Sequence, residues 1–240
     1  MQSEISGFIE RIEKRDTGDL HGVISDIEIK ILKICEDGTM TLRQSQHTRE
    51  MDQFLALQDS FAYNLTGRLA LQLDWAVCSV DHTDETAVAV AVAMLRLIQG
   101  LCLIHRPSRL AFNNDDLMGK LIACIKHASP QIQTASINAL VGIMVRQVEN
   151  IRRFEALRGL KAVCDTFKHR HTTKEVKLSI LEFLFFYLIP ETHIVDKDRT
   201  IPRKTTAEKQ LMLGKYLSNV DGLVRELETS KPFGSLDLEW

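Results

Sequence analysis

No two cysteines in this chain are placed to pair. The five (Cys35, Cys78, Cys102, Cys124 and Cys164) are odd in number, widely spaced and without a C-x-x-C motif. That excludes a disulfide framework and reads as free thiols in a reducing compartment. Neither sign of charge prevails. Against 30 Lys and Arg stand 32 Asp and Glu, a formal net charge of -2, so no overall field draws in nucleic acid or an anionic membrane. No apolar run reaches the roughly 18 residues of a bilayer span, because Arg96 and Gln99 interrupt the most apolar stretch, residues 87–95. The start, MQSEISGFIERIEKRD, carries both signs of charge and lacks the basic start and apolar run of a leader peptide. The chain reads as soluble, without membrane insertion and without a nucleic-acid partner.

Catalytic signatures are also missing. There is no G-x-x-x-x-G-K-S/T or G-x-G-x-x-G phosphate loop, no H-E-x-x-H, and no G-x-S-x-G, H-R-D or D-F-G, which excludes a protein kinase. His169 and His171 are the closest histidine pair, with no further metal ligand near them in sequence. Cys164 and Arg170 have the bare spacing of a thiol phosphatase loop. The residues between them, DTFKH, contain no glycine and put an acid beside the thiol, the reverse of a phosphate cradle. Cys164 with His169 is spaced onto different helix faces. Asp115-Asp116 and Asp196–Asp198 read as helix-start charge and solvated loop. The expectation is no enzyme, no metal and no cofactor. A pocket gathering acids or histidines would revive the enzyme reading. A basic patch for phosphate or an acidic protein is available from Lys168, Arg170, Lys174 and Lys177, with Lys197, Arg199, Arg203 and Lys204.

What the chain does have is helical periodicity. Ile5, Phe8, Ile9 and Ile12 share one face, as do Ile24, Ile27, Ile31 and Ile34, the latter helix stopped by Gly38. Phe54, Leu57 and Phe61 form a stripe, Asn64 a break, and Leu65, Leu69, Leu73 and Ala76 the next stripe. The alternating AVAVAVA at residues 87–93 is read as helix, since the apolar pattern runs on to Ile104 and alanine favours helix. Thr83 or Asp84 caps it, and Pro107 ends it. Asn113 with Asp116, Ser129-Pro130, Thr172-x-x-Glu175 and Thr205-x-x-Glu208 are helix starts. Gly159 bends or splits the helical stretch 150–169. Residues 174–189 are apolar almost all round, which predicts a central helix packed on two sides.

Residues 121–188 repeat themselves. Ile125-Lys126-His127 corresponds to Phe167-Lys168-His169, and Ile132, Ile137 and Leu140 to Val176, Leu181 and Leu184. Two-helix units of about 40–47 residues mark armadillo or HEAT repeats. The expected fold is therefore an all-α, armadillo/HEAT-like solenoid in a single domain. Residues 1–80 are its N-terminal helices, 84–189 its clearest repeats, 190–204 a charged loop and 205–240 its capping helices and tail.

Phe54-Leu-Ala-Leu-Gln-Asp-Ser-Phe61 with Asn64 resembles a helix pair of a fungal family. TAEKQLMLGKYLSNVDGLV, from Thr206 to Val224, and KPFG, from Lys231 to Gly234, are more specific. Together they resemble the cell division control protein 14 family of the septation initiation network, close to its fission-yeast form, and not the phosphatase that shares the name. The resemblance implies a non-catalytic scaffold or regulatory partner of a sterile-20-type protein kinase. It would promote cytokinesis and septum formation, alongside other scaffold proteins of the network, in the cytoplasm and at the spindle pole body. The second helix of each repeat would then offer Gln133, Asn138 and Arg146, then Lys177, Glu182, Phe185 and Phe186, as a protein interface. The competing readings are that the phenylalanines are core, that the chain is an armadillo-type cargo or nucleic-acid adaptor, or that it is an unrecognised enzyme. The absence of a Trp/Asn ladder speaks against the adaptor.

Overall fold

A computed structural model describes residues 1–36, 48–191 and 201–230, and every described element is helical. The fold is all-α. The helices form two compact units, Met1–Phe112 and Asn113–Trp240, and the boundary falls within the stretch expected to hold the repeats.

In the first unit α1 (Gln2–Glu13) buries Ile5, Phe8, Ile9 and Ile12, the stripe that its spacing predicts. It packs on α2 (Thr17–Glu36) and on α4 (Leu65–Ala70). Gly38, the expected stop of α2, lies outside the described residues. Before α4 comes α3 (Arg49–Gln58). Phe61 was expected to extend the stripe of α3. Instead α3 ends at Gln58, and Phe61 sits in the following turn, 89% exposed with the Arg68 guanidinium 5.3 Å from its ring centre. Asn64 is the break it was read as. Its side chain accepts from the Gly67 amide and caps α4. A single π-helical turn, Asp74–Cys78, follows.

The alternating alanine–valine stretch is helical. It lies in α5 (Glu85–Ile104), capped by Asp84, whose carboxylate accepts from the Ala87 amide at 3.0 Å. Among the described residues α5 is the one helix long and apolar enough to cross a bilayer, and half of that stretch is buried inside the molecule. Met94, Leu95, Ile98 and Leu101 have no exposed surface, and α5 packs on α2 and α4 as a core helix. A 3-10 segment, Arg106–Phe112, closes the unit.

The second unit runs α6 (Asp115–Cys124), α7 (Pro130–Met144), α8 (Val148–Ala156), α9 (Gly159–Lys168), α10 (Lys174–Leu188), α11 (Thr206–Gly214) and α12 (Val220–Ser230). As expected of a helix apolar almost all round, α10 packs on α7, α9, α11 and α12. Phe183 meets Phe154 of α8 with ring centres 5.5 Å apart, a pair that contributes about 0.5–1.5 kcal/mol beyond area burial. Gly159 splits the 150–169 stretch for a visible reason. A Cβ there would lie 2.2 Å from Cε2 of Phe154, so only a residue without a side chain lets α8 and α9 close together. Arg158, between them, takes left-handed backbone (φ 59°).

The caps fall where cap chemistry is local. Ser129 precedes Pro130 at the start of α7, and Thr205 with Glu208 forms a complete capping box on α11. Two caps move by one residue. Asn114, not Asn113, caps α6 by accepting from Asp116 and Leu117. Thr173, not Thr172, caps α10, because the Thr172 hydroxyl donates to the Thr166 carbonyl at 2.7 Å instead.

Candidate functional site: a histidine-lined cleft

A cleft of about 500 Å³ opens in the second unit between the α6–α7 turn and the α9–α10 turn. One hydrogen bond joins the two turns, and two others brace each turn from within. The Ile125 carbonyl, just past α6, accepts from Gln133 Nε2 of α7 at 3.1 Å and from Thr166 Oγ1 of α9 at 3.5 Å. The Thr172–Thr166 bond then ties the second turn back to α9.

Lys126, His127, His169 and His171 line the cleft, with Asp165 and Thr173. His127 Nδ1 accepts the Ser129 amide at 3.0 Å, so Nε2 carries the ring hydrogen of the neutral form. His171 Nε2 accepts from Arg170 Nε at 3.0 Å, which places the hydrogen on Nδ1. His169 and His171 lie against each other with ring centres 5.5 Å apart. Asp165 is held below the usual carboxylate range, first by its hydrogen bond with Lys161 (2.6 Å) and further by the charges of Lys161, Lys126 and Lys168. Among the described residues no group of three metal-type ligands comes together.

The cysteine beside this cleft is not arranged as a nucleophile. Cys164 has no exposed surface, and burial pushes its thiol up to about 12. A reactive thiolate needs the opposite shift. Arg170 lies beyond the end of α9 in the exposed turn.

The expected interface residues separate by burial. Arg146 and Glu182 are exposed. Gln133, Asn138, Lys177 and Phe185 are half-buried. Phe186 is 7% exposed and lies against Phe183 with tilted rings whose centres are 6.2 Å apart, so it belongs to the core. Gln133 alone of these residues also lines the cleft.

The basic patch divides as well. Lys197 and Arg199 lie outside the described residues. Lys204 turns inward to Glu155, and Lys168 donates to the Tyr216 carbonyl at 3.1 Å. The sequence reading missed the group that Lys204 joins. Arg152 pairs with Glu155 and Glu191, Lys209 pairs with Glu191, and the Tyr187 hydroxyl donates to Glu155 at 2.9 Å. Its members come from α8, α10, α11 and the segments between, so no local spacing announces it.

Comparison with known proteins adds a family. The profile described as "Cell division control protein 14, SIN component" matches residues 33–203 and 196–233. The chain belongs to this family. Cell division control protein 14 of Schizosaccharomyces pombe is 37% identical over 192 residues, covering 77% of this chain and 79% of that protein. No solved structure matches.

Membership in the cell division control protein 14 family corrects the recognition made from sequence. At 37% identity the chain is a relative of the fission-yeast protein and not that protein. The matching descriptions name a cell-division and SIN component and mention no kinase. The non-catalytic scaffold or regulatory partner of a sterile-20-type kinase is therefore withdrawn as the reading of this chain. So are the description as a kinase regulator and the exclusion of phosphatase chemistry by name. The expectation of no enzyme, drawn from the missing motifs and from the resemblance, is overturned with them. Of the pocket gathering acids or histidines that would revive an enzyme, the cleft supplies three histidines and the one acid Asp165.

Proposed function

We propose that this chain serves cell division within the septation initiation network by engaging a segment of another network protein at the cleft between the α6–α7 and α9–α10 turns. It does so in the cytoplasm and at the spindle pole body. The observation that carries the reading is the cleft itself, a concave site of about 500 Å³ in which side chains from two separate turns converge. Gln133 lies on its wall, and the reading extends the contact to Asn138, Arg146, Lys177, Glu182 and Phe185, each at least partly exposed, with Phe186 buried in the core.

The same reading takes the two turns as equivalent parts of two armadillo/HEAT-like units. Asp115–Cys124 and Gly159–Lys168 are both of 10 residues, and Pro130–Met144 and Lys174–Leu188 both of 15. Each later helix starts 44 residues after its counterpart, at 159 against 115 and at 174 against 130. A unit of this period suits stacked helical repeats.

A second reading is favoured by the three imidazoles and Asp165 sharing one cleft. It is that an ester on the engaged segment is hydrolysed there. One imidazole takes a proton from the attacking water, and another returns a proton to the departing oxygen.

The reading is tested in the organism of origin by exchanging the gene for the Lys126→Glu, His169→Ala double variant. At normal protein level the variant is expected to leave cells unseptated. Normal septation would contradict it.

A further inference from the structure

We propose that the cleft is a receptor for a phosphorylated serine or threonine side chain, with the phosphate seated between Lys126 and the imidazoles of His169 and His171. The proposal deepens the reading above and depends on the engaged segment entering this cleft.

The charge balance of the lining argues for an anion. Lys126 forms no ion pair among the described residues, although it stands in the field of Asp165. Asp165, the acid that lines the cleft, is already bonded to Lys161 at 2.6 Å. Glu175 stands near the cleft at the start of α10. Its carboxylate lies below the usual range because it folds back onto its own amide and the Thr173 hydroxyl. Each acid near the opening is thus committed to a donor, while Lys126 is not. Arg170 and Lys174 stand exposed on the same turn, so the approach to the cleft is cationic even though the chain is close to neutral. An exposed positive pocket on a neutral protein draws an anion locally without drawing nucleic acid in general.

The donor chemistry points to phosphate over carboxylate. A phosphate monoester presents three strong acceptor oxygens and close to two negative charges. The lining offers donors from two sides. The Lys126 ammonium and the imidazole of His127 come from the α6–α7 turn, and His169 and His171 come from the α9–α10 turn. A carboxylate carries one charge and two acceptor oxygens in one plane, so it satisfies fewer of these donors than a phosphate does. The small apolar part of the wall, Ala128 and Pro130, suits the short carbon stem of serine or threonine. The lining is not a metal site instead, since among the described residues no three metal-type ligands come close enough together to hold an ion.

The test uses the full chain and three small probes: N-acetyl-phosphothreonine amide, N-acetyl-threonine amide and N-acetyl-aspartate amide. Histidine Cε1–H resonances report occupancy by NMR, and the solution is assayed in parallel for released inorganic phosphate. Saturable shifts of the His127, His169 and His171 signals with the phosphorylated probe, absent with threonine and at least tenfold weaker with aspartate, are expected. Lys126→Glu should weaken that binding at least tenfold with its circular dichroism and thermal midpoint unchanged. Lys126→Arg, which keeps the charge, should retain binding to within a few-fold. Phosphate release that Lys126→Glu abolishes would support the site and make it hydrolytic.

Equal shifts from threonine or aspartate, or an unaffected Lys126→Glu protein, would overturn the proposal. So would a single-stranded oligonucleotide that occupies the same histidines more tightly than the phosphorylated probe. If the phosphorylated probe fails while the Lys126→Glu, His169→Ala cells remain unseptated, the phosphate assignment falls and the cleft's engagement of a segment stands. If the probe binds and those cells septate normally, the reverse holds.

Discussion

Glu191 and Lys209 face each other at 3.0 Å with 2% of either side chain exposed. The Lys209 ammonium also donates to the Ile189 carbonyl at 2.7 Å and lies 5.2 Å from the centre of the Tyr187 ring. The pair fastens α11 to the end of α10. The Lys204 amide donates to the Glu191 carboxylate at 3.0 Å, and the Glu191 amide donates to the Lys204 carbonyl at 2.9 Å. Removing one partner leaves a buried charge alone, a loss of about 3–5 kcal/mol. Lys209→Met should therefore lower the urea midpoint sharply, whereas Lys209→Met with Glu191→Leu should recover much of the loss. A double variant as unstable as the single one would show that the pair is not what joins these helices.

The same pair makes stability sensitive to acid. Burial alone would push the Glu191 carboxyl up, but Lys209, the Lys204 amide and Arg152 more than reverse this and hold it below the usual range. A carboxyl depressed in the folded state adds stability above its unfolded value of about 4.3 and loses it as pH falls through the folded value. The thermal midpoint should fall as the solution is acidified below that unfolded value. In Glu191→Gln, already weaker at neutral pH, the slope in the same range should be shallower. Equal slopes in the two proteins would remove Glu191 from the acid response.

Gly159 should not tolerate a methyl group. Its Cβ would fall 2.2 Å from the Phe154 ring, and that ring is fully buried against Phe183. Gly159→Ala should cost about 1–3 kcal/mol through overpacking, measured by denaturant unfolding. Wild-type stability would mean that α8 and α9 are not packed as closely as described.

Arg158 offers the opposite sign. Its side chain is exposed and its backbone is left-handed, a conformation that disfavours every residue with a Cβ. Arg158→Gly should raise stability by about 0.5–1 kcal/mol, the relief of strain less the extra freedom of glycine in the unfolded chain.

The helices were legible where their signals are local. Asn64, Asp84, Ser129 and Thr205 were readable as breaks or caps because a cap acts on amides two or three residues ahead. Thr172 and Thr173 could not be told apart that way, since both can accept and only the Thr166 carbonyl across the turn decides between them. The helices flanking the two turns agree in length, and by their bounds His127 stands opposite His171, not opposite His169 as the matching Lys-His steps suggest. Phe61 was misplaced because a stripe can continue in sequence past the point where the backbone turns away.

The cleft stayed hidden although each half was on view. His169 and His171 stand close in sequence, but no further ligand near them marks a site. Their partners, Lys126 and His127, lie more than 40 residues earlier and reach them only through the packing of α6, α7 and α9. The Glu191 group was hidden for the same reason, with acids and bases from separate helices and the segments between them meeting only in the fold.

The central claim is that the two turns form one phosphate-recognising cleft. The most direct measurement is a crystal structure of the full chain grown with N-acetyl-phosphothreonine amide. The account predicts density for the phosphate within hydrogen-bond reach of Lys126 Nζ and an imidazole of His169 or His171. An empty cleft at saturating probe, or a phosphate bound elsewhere on the molecule, would contradict it.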